Sequence, residues 1–253
     1  KNSSNEDLYW RIIRIDEDNN IRLIYNGTST AQTGATTQIG TSTFNTNGQN
    51  AYVGYMYGTP GSTTYEAEHA NTNNSTIKTI IDNWFAANMT EERKYLSEDA
   101  IYCNDRGLSK GTGIGQTHTY YKAQLRLETY QQPDYRCSQT NDQFTTTTAT
   151  KGNKKLTYPV GLITADETSF AGGVMYTTNS NFYLNTAQDY WNLSPLYFYG
   201  SYRDAALFIV DCDGTINGDR SSGNYGVRPT VSLKSNIEVL RGNGTASSPY
   251  EIK

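Results

Sequence analysis

The segment from Asp189 to Leu233, DYWNLSPLYFYGSYRDAALFIVDCDGTINGDRSSGNYGVRPTVSL, constrains the fold more than any other part of the chain. Trp191-x-x-Ser194-Pro195 near its start and Gly226-Val227-Arg228-Pro229 near its end read as a rigid frame. Between them lies a run crowded with Tyr, Asn, Ser, Asp and Arg. That is the composition of a recognition surface: Tyr gives contact area at low entropic cost, and Ser, Asn and Gly adapt their hydrogen bonds. Short strands are expected around Trp191, over Leu207 to Val210 and over Val227 to Leu233.

Inside this segment, LFIVDCDGTI supports two readings. It resembles the first motif of the haloacid dehalogenase superfamily. That resemblance implies a Mg²⁺-dependent phosphatase with Asp211 as nucleophile and Asp213 as general acid/base. Asp-Gly after an apolar strand is equally a hairpin-turn signal. Context favours the hairpin. The chain lacks the alternating strand–helix pattern of a doubly wound parallel sheet, and the residues after Asp213 read as turns and strands. Asp211, Asp213 and Asp219 do not have EF-hand spacing, because Gly214 falls too early. No metal site or cofactor is expected.

The remaining sequence narrows the function classes. Aromatic residues make up 12%, with 21 Tyr, whereas charged residues are only 18% and the net charge is −4. That balance argues against charge-driven disorder, and the missing basic patch argues against nucleic acid as a partner. No run approaches the roughly 20 apolar residues of a membrane span. The chain begins at Lys1 rather than Met, so a leader, membrane anchor or pilus anchor is expected outside it. His69 and His118 read as surface-loop residues, and Gly111–Gly115 as a flexible loop, since no Lys-Ser/Thr follows it as in a phosphate cradle. No nucleophile, base and oxyanion site assembles, so a non-enzyme is expected.

Local signals place several elements. Tyr9 to Ile15 and Ile21 to Tyr25 predict an opening hairpin across the polar DEDNN. Thr28 to Gly48 reads as loop or short edge strands, and Ala51 to Tyr57 as a strand. Ser75 caps a predicted helix whose apolar stripe is Ile77, Ile80, Ile81, Trp84 and Phe85. Thr90 is expected to cap a weaker helical turn through Arg93. Thr164 and Glu167 form a capping box, with a helix that stops at Gly172-Gly173, so Asp166 and Glu167 are read as structural. A last strand is expected in the tail. With no long linker and no repeat, residues 1–253 read as one domain. Of the three cysteines, Cys103 and Cys137 are the preferred disulfide, because both sit in polar, loop-like sequence; three unlinked thiols is the alternative.

Several segments taken together resemble a family of bacterial surface-associated domains: YWRIIRI with IRLIYNG, IIDNWFAANM, IYCNDR, TYPVGLITADETSFAGG, YWNLSP, GVRPTVSLKS and GNGTASSPYEI. The resemblance implies an α+β, C-type-lectin-like fold of the formylglycine-generating-enzyme-like form, with short twisted antiparallel strands, two or so helices and long loops. Arg228-Pro229 would then lie in a buried closing strand and tie loops together. A narrower similarity is to variable proteins of diversity-generating retroelements. It implies that residues 190–230 form a diversified binding region. The expected function is adhesion or receptor recognition at the cell surface or outside the cell, toward a protein or glycan on another cell, host or phage. Tyr197, Tyr199, Tyr202, Arg203, Phe208, Asp219, Arg220, Asn224 and Tyr225 are expected to line one exposed ligand-binding face. The alternative is the structural head of a pilus or surface fibre.

Overall fold

Trp10–Ile15 and Ile21–Tyr25 pair antiparallel, as their β-branched and aromatic content predicts. The turn between them is set by Asp16, whose Oδ1 accepts from the amides of Asp18 (3.0 Å) and Asn20 (2.8 Å). Asn19 takes the left-handed conformation at φ 62°. Thr230–Leu233 adds a third antiparallel strand on the other side of Ile21–Tyr25. The computed structural model describes residues 1–31, 33–46, 48–147, 151–202 and 204–252, and it is mixed α+β, mostly sheet with few helices.

A larger sheet is built around the ten-residue strand Tyr190–Tyr199. One edge pairs antiparallel with Asp204–Val210, which in turn pairs antiparallel with Thr215–Arg220. The other edge is shared. Tyr225–Gly226 meets its start at Tyr190, and Thr119–Tyr121 meets its end at Tyr197 and Phe198. The predicted frame is scaffold indeed. Trp191 is fully buried and donates from its indole to Ser42 O at 2.8 Å. Ser194 Oγ accepts from the Ala165 amide at 3.0 Å, satisfying a free N–H in the first turn of the helix Ala165–Phe170. From Tyr190 to Leu196 both sides of this strand are covered, which is why Asn192 and Ser194 are buried and bonded rather than alternating with solvent.

The capping box is present as read. Thr164 Oγ1 accepts from the Glu167 amide, and Glu167 Oε2 accepts from the Thr164 amide, both at 3.1 Å. The helix ends at Phe170, ahead of Gly172 at φ +112°. Thr76–Asn88 is capped by Ser75, and Ile77, Ile81 and Phe85 enter the core, with Ile80 and Trp84 half-buried at its margin. Asp211-Cys212-Asp213-Gly214 is a turn between antiparallel strands. Asp211 N donates to Thr215 O, Gly214 N donates to Asp211 O, and Gly214 has φ +83°. A Cβ on Gly214 would lie 2.1 Å from Asn179 O, so only glycine fits there.

Four expectations need correction. Ala51–Tyr57 is not one strand: Asn50–Val53 is a 3₁₀ turn and only Met56–Tyr57 is extended. The cause is side-chain competition for the backbone. Glu68 Oε1 takes the Ala51 amide at 3.2 Å and Asn104 Oδ1 the Tyr55 amide at 2.6 Å, while Asn50 Nδ2 reaches away to the carbonyls of Ile114, Gly115 and Thr117. Thr90 does not cap the next turn; its hydroxyl bonds back to Ala86 O at 2.9 Å, and Glu92–Tyr95 begins without a side-chain cap. The Gly111–Gly115 loop is pinned by those Asn50 bonds and by Gly115 N donating to Glu68 Oε1 at 3.1 Å.

His69 is the fourth correction, because it is fully buried rather than on the surface. It ends the short helix Tyr65–Glu68 and lies beneath the Gly111–Gly115 loop. Its Nε2 is 2.9 Å from Gly113 O, so this nitrogen donates, leaving Nδ1 to face Arg106 Nη1 at 3.4 Å. Burial, then the Arg106 charge, push its pKa down to about 3, so it is neutral at physiological pH. Arg106 is itself fully buried. Its amide and Nε donate to Asp142 at 2.6 Å each, Nη1 to Met56 O and Nη2 to Asn71 Oδ1, both at 3.0 Å. This one side chain ties the Met56, His69–Asn71 and Asp142 segments to its own, alongside the direct bonds from Asn71 to Asn141 and from Asn141 to His69.

The Cys103–Cys137 disulfide is formed, with a separation of 34 residues, and Cys212 is free and exposed. Arg228 is buried and ties separate segments, as the resemblance implied, but it and Pro229 precede the closing strand Thr230–Leu233 rather than lying in it. It donates to Tyr25 O at 3.1 Å and Leu184 O at 2.8 Å. With no carboxylate beside it in these contacts, burial holds its pKa down at about 10, while Tyr190 partly offsets that. The tail forms a small hairpin of Val239–Arg241 with Glu251–Ile252.

Candidate functional site

The nine residues expected on one face fall into separate groups. Tyr197 and Tyr199 are two apart on the end of the central strand and share a side of the sheet, with ring centroids 4.3 Å apart. Tyr202 follows in the turn, where its amide donates to Tyr199 O, and it is 78% exposed. Arg203 lies outside the described residues. Asp219 and Arg220 are consecutive in Thr215–Arg220, so they point to opposite sides of the sheet. Arg220 is opposite Ala206, in the row that continues to Tyr197. Asp219 instead accepts from the Tyr225 hydroxyl, whose ring packs edge-on against Trp191 at 4.9 Å. Asn224 bonds Thr41 Oγ1 at 3.2 Å beside that second group.

Phe208 is a correction: it is fully buried and belongs to no exposed face. It packs with Ala123, Leu127, Leu196 and Ile216. The helical segment made of Lys122–Gln124 and Leu125–Tyr130 lies over this part of the sheet and seals it. The covered area ends near Tyr197, which packs partly against the same cluster. Beyond it, this side of the sheet carries the half-buried Tyr199, while Phe198 on the other side stays in the core.

Two residues that sequence reasoning missed complete the open part. Tyr120 is the cross-strand neighbour of Tyr197, and its hydroxyl is 3.2 Å from that of Tyr199. His118, exposed as expected, lies 4.4 Å from the Tyr199 ring and 4.8 Å from the Tyr120 ring. The hydrogen bond with Tyr120, then burial, raise Tyr199 to about 12, so Tyr199 remains neutral and its hydroxyl serves as a hydrogen-bonding group. Lys110 Nζ sits 5.9 Å from the Tyr120 ring. The result is a tyrosine ledge of His118, Tyr120, Tyr197, Tyr199 and Tyr202, with Lys110 and Arg220 at its margins. The aromatic run Thr119-Tyr120-Tyr121 was the available signal, since such runs favour strands.

A concave region lies elsewhere, a groove of about 680 Å³. Its walls come from the end of Trp10–Ile15 and the following turn, the 134–137 loop held by the disulfide, Lys151, and the start of the capping-box helix. Glu167 underlies it, accepting from Arg14 Nε at 2.9 Å and Arg22 Nε at 3.2 Å. Burial pushes the Glu167 carboxyl up, but the two guanidiniums outweigh it and hold it below the usual range. Arg126 grips Asp166 with two bonds, 3.0 and 2.6 Å, and also bonds Asp105. Asp105 has less than a full partner. Burial outweighs its share of Arg126, and Asp166 and Asp142 add to the effect, raising it to about 6.

Asp211, of the phosphatase-like motif, is bonded by Asn217 Nδ2 at 3.0 Å, and Asp213 accepts from Thr178 Oγ1 at 2.9 Å. The strand leading to Asp211 is antiparallel to both neighbours, unlike the parallel sheet tip that the motif resembles. Among the described residues, no group of three or more His, Cys, Asp or Glu is arranged to hold a metal ion. No family model, curated protein or solved structure matches this chain.

Proposed function

We propose that this chain is a non-enzymatic ligand-recognition module on a C-type-lectin-like scaffold, and that the tyrosine ledge is its recognition surface. Its partner is a protein or glycan on another cell, a host or a phage. The observation that carries this reading is the ledge itself: half-buried, mutually packed rings of Tyr120, Tyr197 and Tyr199 flanked by exposed His118 and Tyr202, at the tip of a strand whose start is buried core. Tyrosines held in place in this way lose little entropy on binding, and Tyr and Arg are the residues enriched at binding hot spots. The Cys103–Cys137 disulfide supports an extracellular or cell-surface setting.

The triple variant Tyr120→Ala, Tyr199→Ala, Tyr202→Ala is expected to lose about 150-fold or more in affinity, from roughly 1 kcal/mol or more per residue at a hot spot. Binding is read on a glycan array and on displayed host, bacterial and phage surface proteins. The melting temperature should stay near that of the parent, because these rings extend beyond the sealed cluster. Undiminished binding by a folded triple variant would place the surface elsewhere.

Retroelement diversification, on the same reading, is confined more narrowly than residues 190–230. Tyr190–Leu196 and Ala205–Val210 are core, so varied codons should cluster at the Tyr197, Tyr199 and Tyr202 part of the ledge and at the Asp219–Tyr225 edge. A near-copy of the coding segment beside a reverse transcriptase gene, mismatched at adenines in those codons, is the expected result. Mismatches spread evenly through the core codons, or no such copy, would remove this part of the proposal.

A further inference from the structure

The groove beside the disulfide is separate from the tyrosine ledge, and its chemistry is different. Seven carboxylates line it against four cations. Two of the carboxylates, Asp105 and Asp166, share the single guanidinium of Arg126. The opposite wall is the end of Trp10–Ile15, which among the described residues is the outermost strand of its sheet, paired with Ile21–Tyr25 alone. Ile15 is at that end and 65% exposed. Such a strand edge carries backbone groups able to pair with another extended chain.

We propose that this groove docks an extended polypeptide segment bearing a lysine or arginine, laid along the Arg14–Ile15 end of the edge strand with its cation over Asp105 and Asp166. The excess of carboxylates selects against an acidic segment and lowers the cost of burying a cation. The strand edge selects a polypeptide over a small amine, because backbone pairing would supply the added affinity. The groups facing Asp105 are Arg126 from the helical segment, Asp166 from the capping-box helix, and Asp142. Arg22 and Glu167 line the same groove. An arriving cation favours the ionised form of Asp105, so binding should release a proton and strengthen as pH rises through about 6.

The test uses a capped heptapeptide, Thr-Val-Thr-Lys-Thr-Val-Thr, its counterpart with Glu in place of Lys, and lysine amide alone. Binding is followed by amide chemical-shift mapping and anisotropy. The Lys peptide is expected to shift amides around Arg14–Glu17, Cys137 and Thr164–Glu167, and to bind about tenfold more weakly at pH 5 than at pH 7.5. Asp105→Asn should reduce affinity at least about tenfold and flatten that pH dependence. Glu17→Lys, on the exposed turn, should also weaken binding and keeps the test decisive if Asp105→Asn unfolds. The ledge triple variant should bind the Lys peptide normally. Equal binding of the Glu peptide, equal binding of lysine amide, shifts mapped elsewhere, or no shift at millimolar peptide would each overturn the proposal.

Discussion

Arg106→Met is expected to cost about 3–5 kcal/mol of stability, the range for removing one partner of a buried ion pair. The loss comes mainly from what stays behind. Asp142 is 1% exposed and would be left buried without its cation. Met56 O and Asn71 Oδ1 would also lose their donor. Urea denaturation measures the loss, and a second variant identifies its source. Adding Asp142→Asn to Arg106→Met should recover part of the stability, because the stranded charge is then gone. His69 offers an independent reading. Part of what holds it near pKa 3 is the Arg106 charge, so its titration should move upward in Arg106→Met. A loss below about 1 kcal/mol would mean that Arg106 is not the joint between these loops.

Removing the Cys103–Cys137 bond is the second large effect. Closing a 34-residue separation restricts the unfolded chain by about 4 kcal/mol on the loop-entropy scale. For a chain of this size, that corresponds to a fall of roughly 8–16 °C in melting temperature. The double Cys103→Ser, Cys137→Ser variant, measured by calorimetry, should show it. Cys212→Ser is the control and should melt like the parent, since Cys212 is exposed in a turn and unlinked. The two predictions differ in mechanism. The disulfide acts on the unfolded chain, whereas Arg106 acts through desolvated charges in the folded one. An unchanged melting temperature in the double serine variant would show that the bond does not restrain this chain.

The elements readable from sequence were those fixed by neighbours along the chain. The opening hairpin, the Ser75 cap, the Thr164–Glu167 capping box and the Asp-Gly turn each depend on residues a few positions apart. Phe208 was misjudged because strand alternation gives the phase of a side chain but not what covers it, and here the segment from Lys122 to Tyr130 does. The environment of His69 depends on Arg106 and Gly113, respectively 37 and 44 positions away. The ledge was half legible. Tyr197, Tyr199 and Tyr202 lie in one stretch, but Tyr120 arrives by strand pairing across 77 positions, which no local pattern encodes. The groove was invisible for the same reason, since its walls come from well-separated segments.

The placement of Tyr197 has a consequence for how this protein can change. It is the last residue of the central strand to face the sealed cluster, and Tyr199 is the first beyond it. Inward of that boundary, a substitution alters packing and is felt by the whole fold. Outward of it, side chains meet one another and water, so the fold registers little. A lineage exploring new partners can therefore exchange the outward rings of Tyr199 and Tyr202 while inheriting the same framework, with Phe198 still held in the core. Tyr197 marks where inheritance stops being conservative and becomes permissive.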